Sequence, residues 1–234
     1  MPNATGRSTS PRRGASHISA PARPSGVRDR PILYSFRRCP YAMRARMALL
    51  VSGTACHIRE GSRKPAELIA ASPKATVPVI VQTDGRVIEE SLAIMRWALA
   101  RNDPEGWLER EDRTLIEAND GSFKHHLDRY KYPERHASDP AEHRAAGLAM
   151  LQLLEARLVA RGSLCGDRRG ITDIAIFPFV RQFAETDRAW FDMQPLPGLQ
   201  AWLRDHLQSV LFGAIMVRLE AWQARDAPRG FPGD

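Results

Sequence analysis

Residues 31–50 read PILYSFRRCPYAMRARMALL, and a change of periodicity inside that stretch decides the fold. Ile32-Leu33-Tyr34-Ser35-Phe36 is a short run of the branched and aromatic residues that suit a pleated surface. Cys39-Pro40 follows, and from there to Leu50 the apolar residues recur at helical spacing. Pro40 suits a first helical turn, where its missing N–H would have no partner in any case. A strand therefore passes into a helix through a Cys-Pro step, with Cys39 at the helix N-terminus.

Outward from this step, Ala55–Arg59 reads as a second strand and Lys64–Ala71 as a short helix. Val79-Ile80-Val81 and Val87-Ile88 flank Thr83-Asp84-Gly85-Arg86, and Asp-Gly between apolar runs is a hairpin signal. Ser91 opens a helix carrying Leu92, Met95, Trp97 and Leu99. The order is β-α-β-α-β-β-α. A cluster of breakers, Asn102-Asp103-Pro104-Glu105-Gly106, then reads as a linker, and strand signals almost vanish beyond it. Helices are expected from Arg110 to about Arg129, from Asp139-Pro140 through Leu158, over Leu199–Leu207 and over Leu211–Trp222. Ile171–Phe183 is apolar on most sides and predicts a buried helix. The expected organisation is a tail at 1–29, an α/β domain at 30–101, a linker at 102–110, an all-α domain at 111–224 and a C-terminal tail at 225–234.

The 234 residues are 43% hydrophobic and 26% charged, ordinary for a globular chain. No apolar run approaches the roughly 18 residues that span a bilayer. The net charge of +7 is concentrated in residues 1–30, which hold six Arg against Asp29 alone. The rest is nearly balanced, which argues against an extended basic groove for nucleic acid. Residues 1–29 are rich in Ser, Pro, Gly, Ala and Arg and read as a disordered tail. Cys39, Cys56 and Cys165 form no paired spacing, so a reducing compartment fits best.

Cys39-Pro40-Tyr41-Ala42, then Lys64-Pro65 with Thr76-Val77-Pro78-Val79, then Glu89-Glu90-Ser91-Leu92, lie in that order on those elements. Over about residues 31–222 the chain resembles the glutathione transferases, particularly their cysteine-dependent, omega-like branch. The resemblance implies an α/β thioredoxin-like N-terminal domain plus an all-α C-terminal domain. It also implies a homodimer, with glutathione as co-substrate and no bound cofactor; the cysteine usage, the apolar runs and the charge distribution add the expectation of a cytoplasmic protein with no membrane or nucleic-acid partner.

The chemistry centres on Cys39. A thiolate is the reactive form of cysteine, and the positive end of a helix macrodipole lowers a thiol's pKa. Arg37 and Arg38 are expected to lower it further. Ala42 stands where a dithiol motif has its second Cys, so no local disulfide can close and glutathione itself must resolve a mixed disulfide. Cys56 and Cys165 read as structural.

By resemblance, Pro78 is cis and the Val77 N–H and C=O bond the cysteinyl unit of glutathione. Glu90 and Ser91 hold its γ-glutamyl end, Lys64 reaches the glycyl carboxylate, and Tyr41 joins the contacts. The leading expectation is thiol transfer or deglutathionylation through a Cys39 mixed disulfide. Conjugation of a small electrophile at the same site and a non-enzymatic binding role are the alternatives. Phe123, Leu127 and Tyr130 are candidates for the electrophile pocket, core packing being the stronger reading of the first two. Gly170 stands where the family has Ser or Thr in a reciprocal cap with Asp173. His125 and His126 are adjacent and cannot share a helical face as ligands spaced i, i+4, so no metal is expected.

Overall fold

The computed structural model describes residues 29–233. The expected tail at 1–29 therefore lies, except for Asp29, outside the described residues. The first domain runs β1 (Ile32–Ser35), α1 (Pro40–Val51), β2 (Cys56–Glu60), α2 (Ala66–Ala71), β3 (Val79–Val81), β4 (Val87–Ile88) and α3 (Ser91–Leu99). β1 pairs parallel with β2 and antiparallel with β3, Leu33 standing opposite Ile58 and Ile80. β3 and β4 form the hairpin at Asp84-Gly85, where Gly85 takes a φ of 88° that a side chain would resist. The thioredoxin-like α/β domain is thus the one the order of elements implied.

The helical domain comprises α4 (Arg113–Ala118), α5 (Lys124–Lys131), α6 (Pro133–His136), α7 (Pro140–Arg161), α8 (Ile171–Ala184), α9 (Arg188–Asp192), α10 (Pro197–Gln208) and α11 (Val210–Ile215). α4 and α5 are joined without a break by a π-helical turn, Asn119–Phe123. The expected linker is no loose connection: it holds a 3-10 turn, Trp107–Glu109, with the Trp107 ring fully buried and its indole N–H donating to Glu105.

Two expectations are corrected at the C-terminal end. The helix foreseen over Leu211–Trp222 stops at Ile215, and the chain then returns to the first domain instead of trailing as a tail. β5 (Gly230–Phe231) pairs antiparallel with Cys56 and His57, completing the sheet order β4-β3-β1-β2-β5. The Trp222 N–H donates to the Glu60 carbonyl on the way. Local periodicity misses this segment because its pairing partner lies far away in sequence.

One apolar core runs through both domains, with α1 at its centre. Ala42, Ala45 and Ala48 let α1 approach its neighbours closely, and it packs on α3, α8 and α11. Two arginines, Arg44 and Arg46, are buried in the same helix at 2% exposure each. Charges so placed must be fully satisfied.

α8 is buried along nearly its whole length, as its apolar sequence predicts. Asp173 accepts from the Gly170 N–H at 3.0 Å, the Leu164 N–H at 3.0 Å and the Trp202 indole at 2.9 Å. The half of the reciprocal cap that survives is therefore fully engaged. Gly170 itself is explained by crowding. A Cβ there would stand 2.4 Å from Arg110 Cβ and 2.8 Å from its carbonyl oxygen.

Candidate active site

Cys39 is the N-cap of α1, in extended backbone, and Pro40 begins the helix. Its Sγ donates to the Val77 carbonyl at 3.5 Å, and the Val77–Pro78 peptide is cis. Around it opens a cleft of about 710 Å³ to which Tyr41, Lys64, Val77, Pro78, Glu90 and Ser91 all contribute. Every residue the sequence singled out for glutathione therefore borders one space with Cys39. A second cleft of about 440 Å³ also borders the thiol, and Arg38, Tyr41, Lys124, Asp128, Lys131 and Tyr132 line it.

Ser91 opens α3 and is 3% exposed, so the free N–H groups of that helix end and a buried hydroxyl face the first cleft. Glu90 is exposed and already meets Lys74 at 3.4 Å, an outward pair of small energetic weight. Lys64 lies on an exposed turn with a φ of 49°.

Sequence reasoning missed the group that holds Ser91. Arg44 Nε donates to Ser91 Oγ at 3.0 Å, while its two terminal nitrogens grip both oxygens of Asp120 at 2.8 and 2.6 Å. A bidentate pair thus joins α1 of the first domain to the π-helical turn of the second, directly under the cleft. The wide turn that aims Asp120 inward is of a kind common at functional sites. A π-turn has no signature in composition, and Arg44 inside an apolar helix gave only an indirect signal: a cation there needs an anion from elsewhere in the fold.

Arg46 is the second hidden group. It donates to Ser35 Oγ at 2.5 Å and to the carbonyls of Phe36, Arg37 and Ile215 at 3.1, 2.8 and 3.1 Å. It thereby fixes the loop that delivers Cys39. It has no carboxylate partner among the described residues, and burial pulls its pKa down to about 10, opposed by the Cys39 sulfur.

The expectation of a lowered Cys39 pKa is corrected. Burial pushes this thiol above its ordinary value. The Ala42 and Tyr41 N–H groups at the helix start, and then the Arg46 and Lys124 cations, pull it down without prevailing. The charges that act most on the sulfur thus come from Arg46 and Lys124, where the sequence had pointed to Arg37 and Arg38. Burial likewise drives Cys56 up to about 12, and raises Cys165. Phe123 and Leu127 are core residues at 2% and 0% exposure; Tyr130 packs on Phe183 beside them, and none of the three borders either cleft.

Two family models match successive stretches of the chain, the glutathione S-transferase N-terminal domain over residues 33–106 and the glutathione S-transferase C-terminal domain over residues 105–205. The chain belongs to the glutathione S-transferase family. A comparison with curated proteins finds no match. Among solved structures, a glutathione transferase family member from Pseudomonas fluorescens Pf-5 with two glutathione bound is similar at a TM-score of 0.68 and 17% identity, covering 80% of this chain and 92% of that one. A glutathione transferase from Burkholderia graminis, with two glutathione molecules bound per subunit, is similar at 0.64 and 22%, covering 80% and 87%. A glutathione S-transferase from Rhodospirillum rubrum F11 is similar at 0.64 and 21%, covering 85% and 96%. At these identities the likeness establishes the glutathione S-transferase fold, and the roles of this transferase's residues rest on their own geometry. Among its described residues no helix is long and apolar enough to cross a membrane.

Proposed function

We propose that this glutathione transferase carries out thiol transfer, with Cys39 forming a mixed disulfide with glutathione. The observation that carries the reading is the position of Cys39 at the junction of two clefts. In the first stand the Val77 backbone, the Ser91 helix end and Lys64, chemically suited to the peptide, α-carboxylate and glycyl carboxylate of glutathione. In the second stand Arg38, Lys124 and Lys131, cations suited to an anionic second substrate such as another glutathionyl group. The two glutathione molecules bound per subunit in the Burkholderia protein support a site of that double kind.

The Cys39 thiolate attacks the glutathionyl sulfur of a mixed disulfide, forming a Cys39–glutathione disulfide, and the partner thiolate leaves and takes a proton. A second glutathione thiolate then attacks the glutathionyl sulfur, releasing glutathione disulfide and returning the Cys39 thiolate. In sum one mixed disulfide and one glutathione thiol become the partner thiol and glutathione disulfide, the electron pair of the attacking glutathione thiolate displacing Cys39. Neither remaining cysteine suits internal resolution: Cys56 is buried in the sheet beside β5, and Cys165 bonds Thr172 in the helical domain. Arg46, with no carboxylate partner among the described residues, supplies positive charge where the anionic sulfur forms.

A second reading rests on the raised Cys39 pKa. A protonated thiol can donate to a glutathione thiolate, as its S–H does to Val77, and so support conjugation to an electrophile. The two chemistries separate in Cys39→Ser. Under thiol transfer that variant loses reduction of a glutathionylated peptide, because a hydroxyl cannot form the disulfide, while a hydrogen-bonding role survives and aryl-halide conjugation is retained. Reduction of the peptide by Cys39→Ser at the wild-type rate would remove covalent catalysis by Cys39.

A further inference from the structure

We propose that His125, His126 and His143 form a binding site for one divalent transition-metal ion of the zinc type, joining α5 to α7. The three residues each offer a ring nitrogen, and these atoms lie within 4.8 Å of one another. The ring centroids are 5.1 Å apart for His125 and His126, 5.8 Å for His125 and His143, and 5.1 Å for His126 and His143. The sequence hid the set, since neighbours on one helix cannot bind as an i, i+4 pair; the third imidazole comes from a different helix and converges on both.

The geometry of the closest pair points to a cation. His126 Nδ1 and His143 Nδ1 are 2.8 Å apart, so at any moment one of them holds the proton that lies between the two rings. A metal ion takes the place of that proton. Tetrahedral zinc with Zn–N bonds of about 2.0–2.1 Å sets its nitrogens about 3.3 Å apart, so the pair opens by only about half an ångström. His125 supplies the third ligand by a side-chain swing that its exposure permits. Its Nδ1 accepts from Arg129 at 3.0 Å, so its proton sits on Nε2, and ligation through either nitrogen gives up that one exposed hydrogen bond. The three graded burials make an anchored base with an open mouth: His143 is 9% exposed, His126 half-buried and His125 exposed.

The donor set selects the class of ion. Three imidazoles suit zinc, nickel or copper, whereas magnesium and calcium take oxygen ligands. Glu142, just before His143, adds negative potential at His126. Three protein ligands leave a fourth position for water. The ion would also brace the helix that begins at Lys124, a residue of the cleft beside Cys39.

The test is calorimetric titration of tag-free, chelator-treated full chain with zinc chloride, in a Cys39→Ser background that removes a competing thiol ligand. The expected result is one ion per chain with a Kd at or below about 10 µM. Affinity should fall roughly ten-fold or more in His126→Gln and in His125→Gln, with circular dichroism confirming the fold. His125 is exposed, so its variant remains informative even where a change at the buried His143 disturbs folding. Magnesium chloride should give no binding heat. Absence of saturable zinc binding, or unchanged affinity in both variants, overturns the site.

Discussion

Asp120→Asn tests the link between the two domains and the cleft at once. Arg44 is 2% exposed and gives both terminal nitrogens to Asp120. An asparagine offers one acceptor in place of two and no charge, so a buried guanidinium is left without its counter-ion. With charge centres about 4 Å apart and an effective dielectric of about 20, the attraction lost is about 4 kcal/mol. Breaking a fully buried pair costs about 3–5 kcal/mol. Asp120 keeps 28% of its side chain exposed, so water screens part of this, and the expected loss is about 2–3 kcal/mol. The core is continuous through both domains, so the chain should unfold as one unit. An unfolding entropy of about 2.1 cal/mol/K per residue then converts the loss into a fall in Tm of about 5–7 °C. Scanning calorimetry measures it. Arg44→Met with Asp120→Leu should recover most of the stability, since an apolar pair carries no desolvation cost. A single variant within about 1 °C of wild type, or a double variant equal to the sum of its singles, would show that the pair contributes nothing of the kind described.

Three further outcomes follow from the same structure. Because burial raises the Cys39 pKa, its alkylation by iodoacetamide should climb with pH to a midpoint above the free-thiol value of about 8.5, and a plateau below pH 8 would contradict it. Gly170→Ser, which restores the family's capping residue, should lower stability by about 1–3 kcal/mol in urea denaturation, because its Cβ meets Arg110 at 2.4 Å; a gain in stability would show that the loop yields freely. Burial against Phe177 and Trp202 depresses the His206 pKa to about 3, so its neutral form is favoured in the fold. The stability it contributes is complete above the unfolded value of about 6.5 and is lost as pH falls from there toward 3. At about 1.36 kcal/mol per pH unit, His206→Gln should remove about 2 kcal/mol of the decline between pH 6.5 and 5, and an unaltered pH slope would refute this.

The first domain was legible because independent local signals agree there. Pro40 fixes a helix start, Asp84-Gly85 fixes a turn, and each apolar run between them keeps one period, helical or extended, along its own length. The seven cleft residues named from sequence border one space because each sits at an element's end, where local rules apply. What escaped depends on partners distant in the chain. Arg44 and Asp120 are 76 residues apart, and β5 pairs with a strand that precedes it by most of the chain. His143 meets two histidines on another helix, and the crowding at Gly170 comes from Arg110. The Cys39 pKa failed for a related reason: adjacency in sequence suggested Arg37 and Arg38, while burial, a property of the assembled fold, prevailed.

β5 makes completion of the sheet a question of order in time. β2 emerges from the ribosome roughly 170 residues before Gly230 does, an interval of about 10–30 s at usual rates of synthesis. Throughout it, Cys56 and His57 lie on a strand whose outer hydrogen-bonding groups await a partner still to be made. An unpaired edge of this sort is a template for whatever strand reaches it first. Occupation by the chain's own late segment closes that opportunity, so the short pairing at Gly230–Phe231 works as a latch on the newborn molecule's solubility as much as a fifth strand of its sheet.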